Sequence, residues 1–255
     1  MFSLSCRLIV LGDETVMKSV VRQQPEHNQV LEIMPLQIEF AVQLPDVPVQ
    51  PETLLLIDLE IQESSVDLSV VSQLVLNDLG ATAQILRLAA REYGNAEGHP
   101  TRIEDCISDI GLNACMEAVS ARVVTHDFRH KAIAEIWAHS REIAQYSKLI
   151  AEETSEINPD EAYLVGLFHA IGLLPSVLGW DGCGTGIADR WLMGLKLARK
   201  WSLPGFVVES FREKQLAGCQ TVWPEIVQQA HWCARRRSVP CTYFNDIGPQ
   251  LLHVV

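Results

Sequence analysis

No Cys-x-x-Cys pair, no Gly-x-Ser-x-Gly elbow and no phosphate-binding P-loop occurs in these 255 residues. Those absences remove the commonest zinc-ribbon, redox, serine-hydrolase and nucleotide-hydrolase readings. Basic residues are scarce as well, 20 Lys and Arg against 32 Asp and Glu, for a formal net charge of −12. A surface of that sign repels phosphate backbones, so nucleic acid is not an expected partner. The one basic run, Arg235-Arg236-Arg237, reads as a helix end whose cations face the negative pole of the dipole. No stretch approaches the ~18 apolar residues of a membrane span, and Met1–Gly12 lacks a basic start and a small-residue cleavage site. The expectation is a cytoplasmic protein with no membrane contact.

Seven cysteines lie at 6, 106, 115, 183, 219, 233 and 241. An odd count without paired spacing fits reduced thiols in a reducing compartment. Gly182-Cys183-Gly184-Thr185-Gly186 is the one glycine cluster. It precedes a helix but follows no strand and carries no phosphate-binding Lys, so it reads as an interhelical loop. Cys183 has no placed base and is not a nucleophile candidate.

Hydrophobic residues at 48% and charged residues at 20% describe a folded chain. Residues 1–43 carry partly alternating apolar runs such as Leu36-Gln37-Ile38-Glu39-Phe40, which suggest short strands. Pro45, Pro48 and Pro51 then mark a boundary. From 44 to 255 the pattern is helical, and the body is expected to be an all-α bundle of roughly ten helices.

Local signals place several helices. Asp78 can cap one that Gly94 ends. Thr101-Arg102-Ile103-Glu104 has capping-box spacing for a short helix ending at Gly111. Residues 131–153 form a long amphipathic helix with Ile133, Ile136, Trp137, Ile143 and Ile150 on its apolar side. Asn158-Pro159-Asp160-Glu161 opens the next, expected to run through His169. Further helices are expected at 187–201, 205–217 and 222–236. No repeat at solenoid-like periods and no low-complexity stretch occurs.

Several short motifs occur in one order: Leu44-Pro45-Asp46-Val47-Pro48, Ile85-Leu86-Arg87-Leu88-Ala89, Trp137-x-His139-Ser140, Gly166-Leu167-Phe168-His169-Ala170-Ile171-Gly172-Leu173, and Trp201-Ser202-Leu203-Pro204. Together they resemble the HDOD family, the non-catalytic relatives of the HD and HD-GYP phosphohydrolases. The resemblance implies an HD-like helical fold and a role in bacterial signal transduction. The catalytic relatives hold metal with a His from an early helix, an adjacent His-Asp pair and a later Asp. Here His139 and His169 keep two places, Ala170 replaces the Asp of the pair, and Leu173 replaces the family's Lys. By alignment, His231 stands at the last Asp. Other departures are Ala90-Arg91 for Asn-Ser, Arg190 for a family His, and Lys214-Gln215 for a His pair.

A methyl group cannot ligate a metal, so the resemblance implies a vestigial pocket of His139, His169, Ala170 and His231, with Ser140 and Arg190 as possible ligand contacts. No catalytic residue, no metal and no cofactor are expected. The expected partners are signalling proteins, with a homo-oligomer possible. Two alternatives stay open. One is a phosphohydrolase with an atypical His-based metal site, since three imidazoles plus water can form an open zinc site. The other is a nucleotide or small-molecule sensor using the same pocket.

Overall fold

The computed structural model describes residues 46–94, 101–121, 130–154, 156–178, 187–211 and 222–235, all within one unit of the chain, Val42–Val255. Among these residues every regular element is helical. The strands expected in 1–43, the glycine cluster at 182–186, Lys214-Gln215 and Arg236-Arg237 lie outside the described residues.

Helix α1 (Pro51–Ile61) begins with Pro51 in its first turn, where the missing N–H costs nothing. Asp67 caps α2 (Leu68–Leu76) through the Ser69 amide. Asp78 caps α3 (Leu79–Tyr93) by accepting from the Gly80 and Ala81 amides. Gly94 follows at φ 68°, the left-handed geometry that glycine adopts without strain. Two short helices then meet at Gly111, α4 (Ile103–Ile110) and α5 (Leu112–Ser120), where Gly111 sits at φ 96°. No capping box forms at Thr101. The cap residue of α4 is Arg102, and it makes no side-chain cap bond. Its guanidinium lies 3.7 Å from Glu104 and 3.4 Å from Asp160, so Glu104 faces a cation instead of reaching back to a cap amide.

The long helix α6 (His130–Glu152) buries Ile133, Ile136, Trp137, Ile143 and Ala144. Asn158 caps α7 (Pro159–Phe168) through the Asp160 amide. That helix stops one residue short of the expectation, with His169 at its C-cap. A 3-10 turn (Ile171–Leu173) and α8 (Leu174–Leu178) follow. The segment Pro159–Leu178 does meet the length and hydropathy of a membrane span, contrary to the sequence expectation. It is apolar because it forms the bundle core, with Leu164, Val165, Leu167, Phe168, Ile171 and Leu174 all buried.

The remaining described helices are α9 (Ile187–Lys200), α10 (Gly205–Ser210) and α11 (Trp223–Arg235). The helix expected over 205–217 is therefore seen to Ser210, with 212–217 outside the described residues. Trp201, fully buried, opens the turn between α9 and α10.

Candidate functional site

The site sits where α6, α7 and α11 meet, and small residues make the meeting possible. A Cβ on Gly166 would lie 2.7 Å from Ala144 Cα and 2.7 Å from Ser147 Oγ, so only glycine lets α7 come this close to α6. On the other side, Ala230 and Ala234 of α11 pack on Ile143. Ile226 clusters with Ala151 and Ala162. Lower residue numbers on α11 therefore meet higher ones on α6, and the two helices run antiparallel.

That packing gathers three histidines, His139 on α6, His231 on α11 and His169 at the C-cap of α7. The ring centroids are 5.2 Å apart for His139 and His169, 5.1 Å for His139 and His231, and 4.8 Å for His169 and His231. One nitrogen from each ring falls within 4.8 Å of the others. The three positions named from sequence thus occupy one place. Ala170 is buried at 4% exposure beside them in sequence, and Ser140, next to His139, is fully buried. Arg190 is half-buried on α9, and its backbone carbonyl presses on Gly172, where any Cβ would collide with it. Its buried Nε has no hydrogen-bond partner among the described residues.

The protonation of His169 follows from its neighbour. Its Nδ1 lies 2.6 Å from the Gly166 carbonyl oxygen, which can only accept, so Nδ1 carries the proton. Nε2 is left with a lone pair. That atom is enclosed and has no hydrogen-bond partner among the described residues. Gly166 thus admits α7 to α6 and also orients the imidazole one turn later.

The pocket favours neutral rings. Burial pushes the His169 imidazole down to about 4, against a smaller opposing effect of its bond to Gly166. Burial, helped by the positive charges of His169 and Arg235, pushes His139 down to about 3. His231 is held well below its ordinary value, by burial first and then by the other two rings and Arg235. As whole residues the three are only half-buried, but the ring nitrogen that matters on His169 is closed off from solvent.

Chemically the described site is a set of nitrogen donors without an acid or base beside them. No carboxylate joins the three within ligating distance among the described residues. Glu135 lies one turn before His139 on α6, and its Oε2 is buried without a hydrogen-bond partner among the described residues. The sequence reading passed over it because an i, i+4 Glu-His pair on a long helix is ordinary.

Two side-chain bonds join motifs of the sequence to one another. Arg87 donates to Asp46 at 2.6 Å, joining the entry motif to the Leu-Arg-Leu-Ala helix. Trp137 donates to Asp78, the cap of that helix. The HDOD domain family model matches residues 47–178, more than half of the chain. The chain belongs to the HDOD family. The matched segment includes His139, His169 and Ala170, while His231 lies beyond it. Two structures of the MmoQ response regulator from Methylococcus capsulatus share the HDOD chain's fold. One is 18% identical with TM-score 0.59, over 79% of this chain and 92% of that one. The other is 19% identical with TM-score 0.56, over 81% and 91%. An HDOD domain protein of unknown function from Geobacter sulfurreducens, 21% identical over 83% of each chain, aligns with a TM-score of 0.33. No curated protein matches this chain.

Proposed function

We propose that this HDOD chain is a non-catalytic regulatory module of bacterial signal transduction, acting in the cytoplasm through contacts with protein partners. The observation that carries the reading is Ala170. It stands beside His169 where an HD hydrolase needs its metal-binding Asp, and it is buried in an otherwise retained helical frame. With His231 in the last Asp place, both carboxylates of the hydrolytic set are gone. The three histidines bring no carboxylate to balance a metal dication or to act as a general base.

Exposed leucines on α1 support the proposed protein contacts. Leu55, Leu56 and Leu59 of α1 are 61%, 50% and 53% exposed, an apolar group of the kind that marks interaction sites on soluble domains. The test is an assay of the full chain against phosphate monoesters, phosphodiesters and cyclic dinucleotides, with zinc, manganese and magnesium each supplied. No turnover above that of His169→Ala is the expected result. Turnover that His169→Ala abolishes would overturn the regulatory reading in favour of a phosphohydrolase. A thermal-shift screen of nucleotides separates the sensor alternative, because a ligand that binds only the folded state raises the melting temperature.

A further inference from the structure

We propose that His139, His169 and His231 bind one zinc ion through three imidazole nitrogens, tying α6, α7 and α11 together, with a small anion or hydroxide from solvent as the fourth ligand. This does not depend on the regulatory reading. A zinc ion held without turnover is compatible with it.

Three observations support the site. First, the donors come from three separate helices yet present nitrogens within 4.8 Å of one another. Apolar packing alone would be better served by aliphatic side chains than by three imidazoles. Second, His169 is prepared as a ligand. A metal-binding histidine ordinarily donates its far N–H to a carbonyl or carboxylate, which fixes the tautomer and aims the other nitrogen. The Gly166 carbonyl does this at 2.6 Å, and the enclosed Nε2 meets no donor among the described residues. A buried polar atom is normally satisfied, so this one, on a ring whose centroid lies 5.2 and 4.8 Å from the other two, calls for an occupant among them. Third, the donor set is all nitrogen. That selects metals that favour imidazole, zinc among them, over magnesium or manganese, which prefer oxygen. It differs from the mixed nitrogen and oxygen set that the HD resemblance implies.

The spacing sets a requirement. Zinc–nitrogen bonds of about 2.0–2.1 Å in a tetrahedron place nitrogens about 3.4 Å apart. The rings must therefore close by up to about 1.4 Å from the 4.8 Å limit seen here, which rotations of the side chains can supply. With three neutral ligands the ion keeps its full charge, and Arg235 adds a further positive charge nearby. An anionic fourth ligand follows from that balance.

The experiment uses the full chain stripped with chelator and titrated with zinc chloride. Expected are one zinc per chain by elemental analysis after desalting and a rise in melting temperature. His169→Gln and His231→Gln, which keep a polar side chain of similar reach, are expected to weaken binding by on the order of a hundredfold. Replacing His27, His99, His126, His130 and His253 together with Gln is expected to leave binding unchanged. Binding that survives both single variants, or is lost with the outer five, would overturn the inference. So would the absence of a zinc-dependent shift in the wild type. Should a single variant fail to fold, X-ray absorption on zinc-loaded wild type decides the matter. A first sphere with three imidazoles supports the site, and one dominated by oxygen or sulfur overturns it.

Discussion

The indole N–H of Trp137 donates to Asp78 Oδ1 at 2.9 Å across 59 residues of sequence. The same carboxylate accepts from the Gly80 and Ala81 amides at the start of α3 and, through Oδ2, from the Gln50 amide at 2.7 Å. One buried acid therefore joins the entry segment, the α3 cap and the long helix α6. Burial pushes its carboxyl above the usual range, while Trp137, Gln50 and Ala81 pull the other way. Four donors on one carboxylate make it a junction that an apolar residue cannot replace. Trp137→Phe is expected to be destabilising, because it leaves a buried acceptor short of a donor at about 1–3 kcal/mol, and the smaller ring leaves part of the site unfilled. Trp137→Ala adds the cavity and should cost about 3–5 kcal/mol. Chemical denaturation of the two variants checks both. A Trp137→Ala protein that melts like wild type would place the ring outside the core.

Ser202 occupies a left-handed conformation, φ 53°, the one non-glycine residue with positive φ among the described residues. It closes α9 with the amide of Leu203 reaching back to Ala198 and its own amide reaching Arg199. Glycine is the residue that adopts this geometry without strain. A side chain there costs roughly 1 kcal/mol. Ser202→Gly is expected to stabilise the chain by about 0.5–1 kcal/mol, after allowing for glycine's greater freedom in the unfolded state. An unchanged or lower denaturation midpoint would contradict this.

How legible the molecule was from sequence depended on how local each signal is. Asp78 and Asn158 announced their helices because a cap is a contact between residues two or three apart. Thr101-x-x-Glu104 carried the same spacing but formed no box, because the two charges nearest Arg102 come from Glu104 and from Asp160, a residue of another helix. The break after Phe168 was missed because apolar character continues unbroken into Ile171 and Leu174, and hydropathy does not record a 3-10 turn. Within the site, His139 and His169 could be placed by motif, and His231 only by alignment. The glycine that brings their helices together looked like any other residue of an apolar run.

That glycine carries its own prediction. Gly166→Ala places a methyl 2.7 Å from the Ala144 backbone and from Ser147 Oγ, and the backbone of α6 cannot step aside as a flexible side chain would. The helices must separate, at a cost of about 1–3 kcal/mol or more. Because His169 leans on the Gly166 carbonyl, zinc affinity should fall as well. Stability loss with unaltered zinc binding would show that the three rings do not depend on this approach.

Stability of the metal-free chain should fall with acid. An ordinary histidine protonates near 6.5, whereas His169 in the fold does so near 4 and His139 near 3. Below pH 6.5 the unfolded chain therefore takes up protons that the folded one refuses. The contribution of these rings is whole above about pH 6.5 and declines as the pH drops toward 4 and 3. In that window each ring adds a loss on the order of 1 kcal/mol per unit of pH. Urea midpoints at pH 7.5, 6 and 5 measure it. Replacing His169 with Gln should flatten the slope, and an identical slope in that variant would assign the acid sensitivity to other groups.

Ala170→Asp returns one of the two missing carboxylates to a position that is 4% exposed. Without metal the new acid has no cation to meet, so it must be desolvated or stay protonated, and the variant should be less stable than wild type. With zinc present, His169 and the added carboxylate would stand as adjacent ligands and the fourth donor would come from the protein. The zinc-dependent rise in melting temperature should then exceed that of wild type. Hydrolysis of phosphate esters should stay absent, because His231 still occupies the last Asp place and Leu173 the Lys place, leaving no second carboxylate to serve as base. The two proteins are compared by thermal denaturation with chelator and with excess zinc, and by a phosphatase assay of each. Equal responses to zinc would show that the side chain at 170 does not reach the three histidines. The loss of the His-Asp pair would then explain nothing about what this pocket binds.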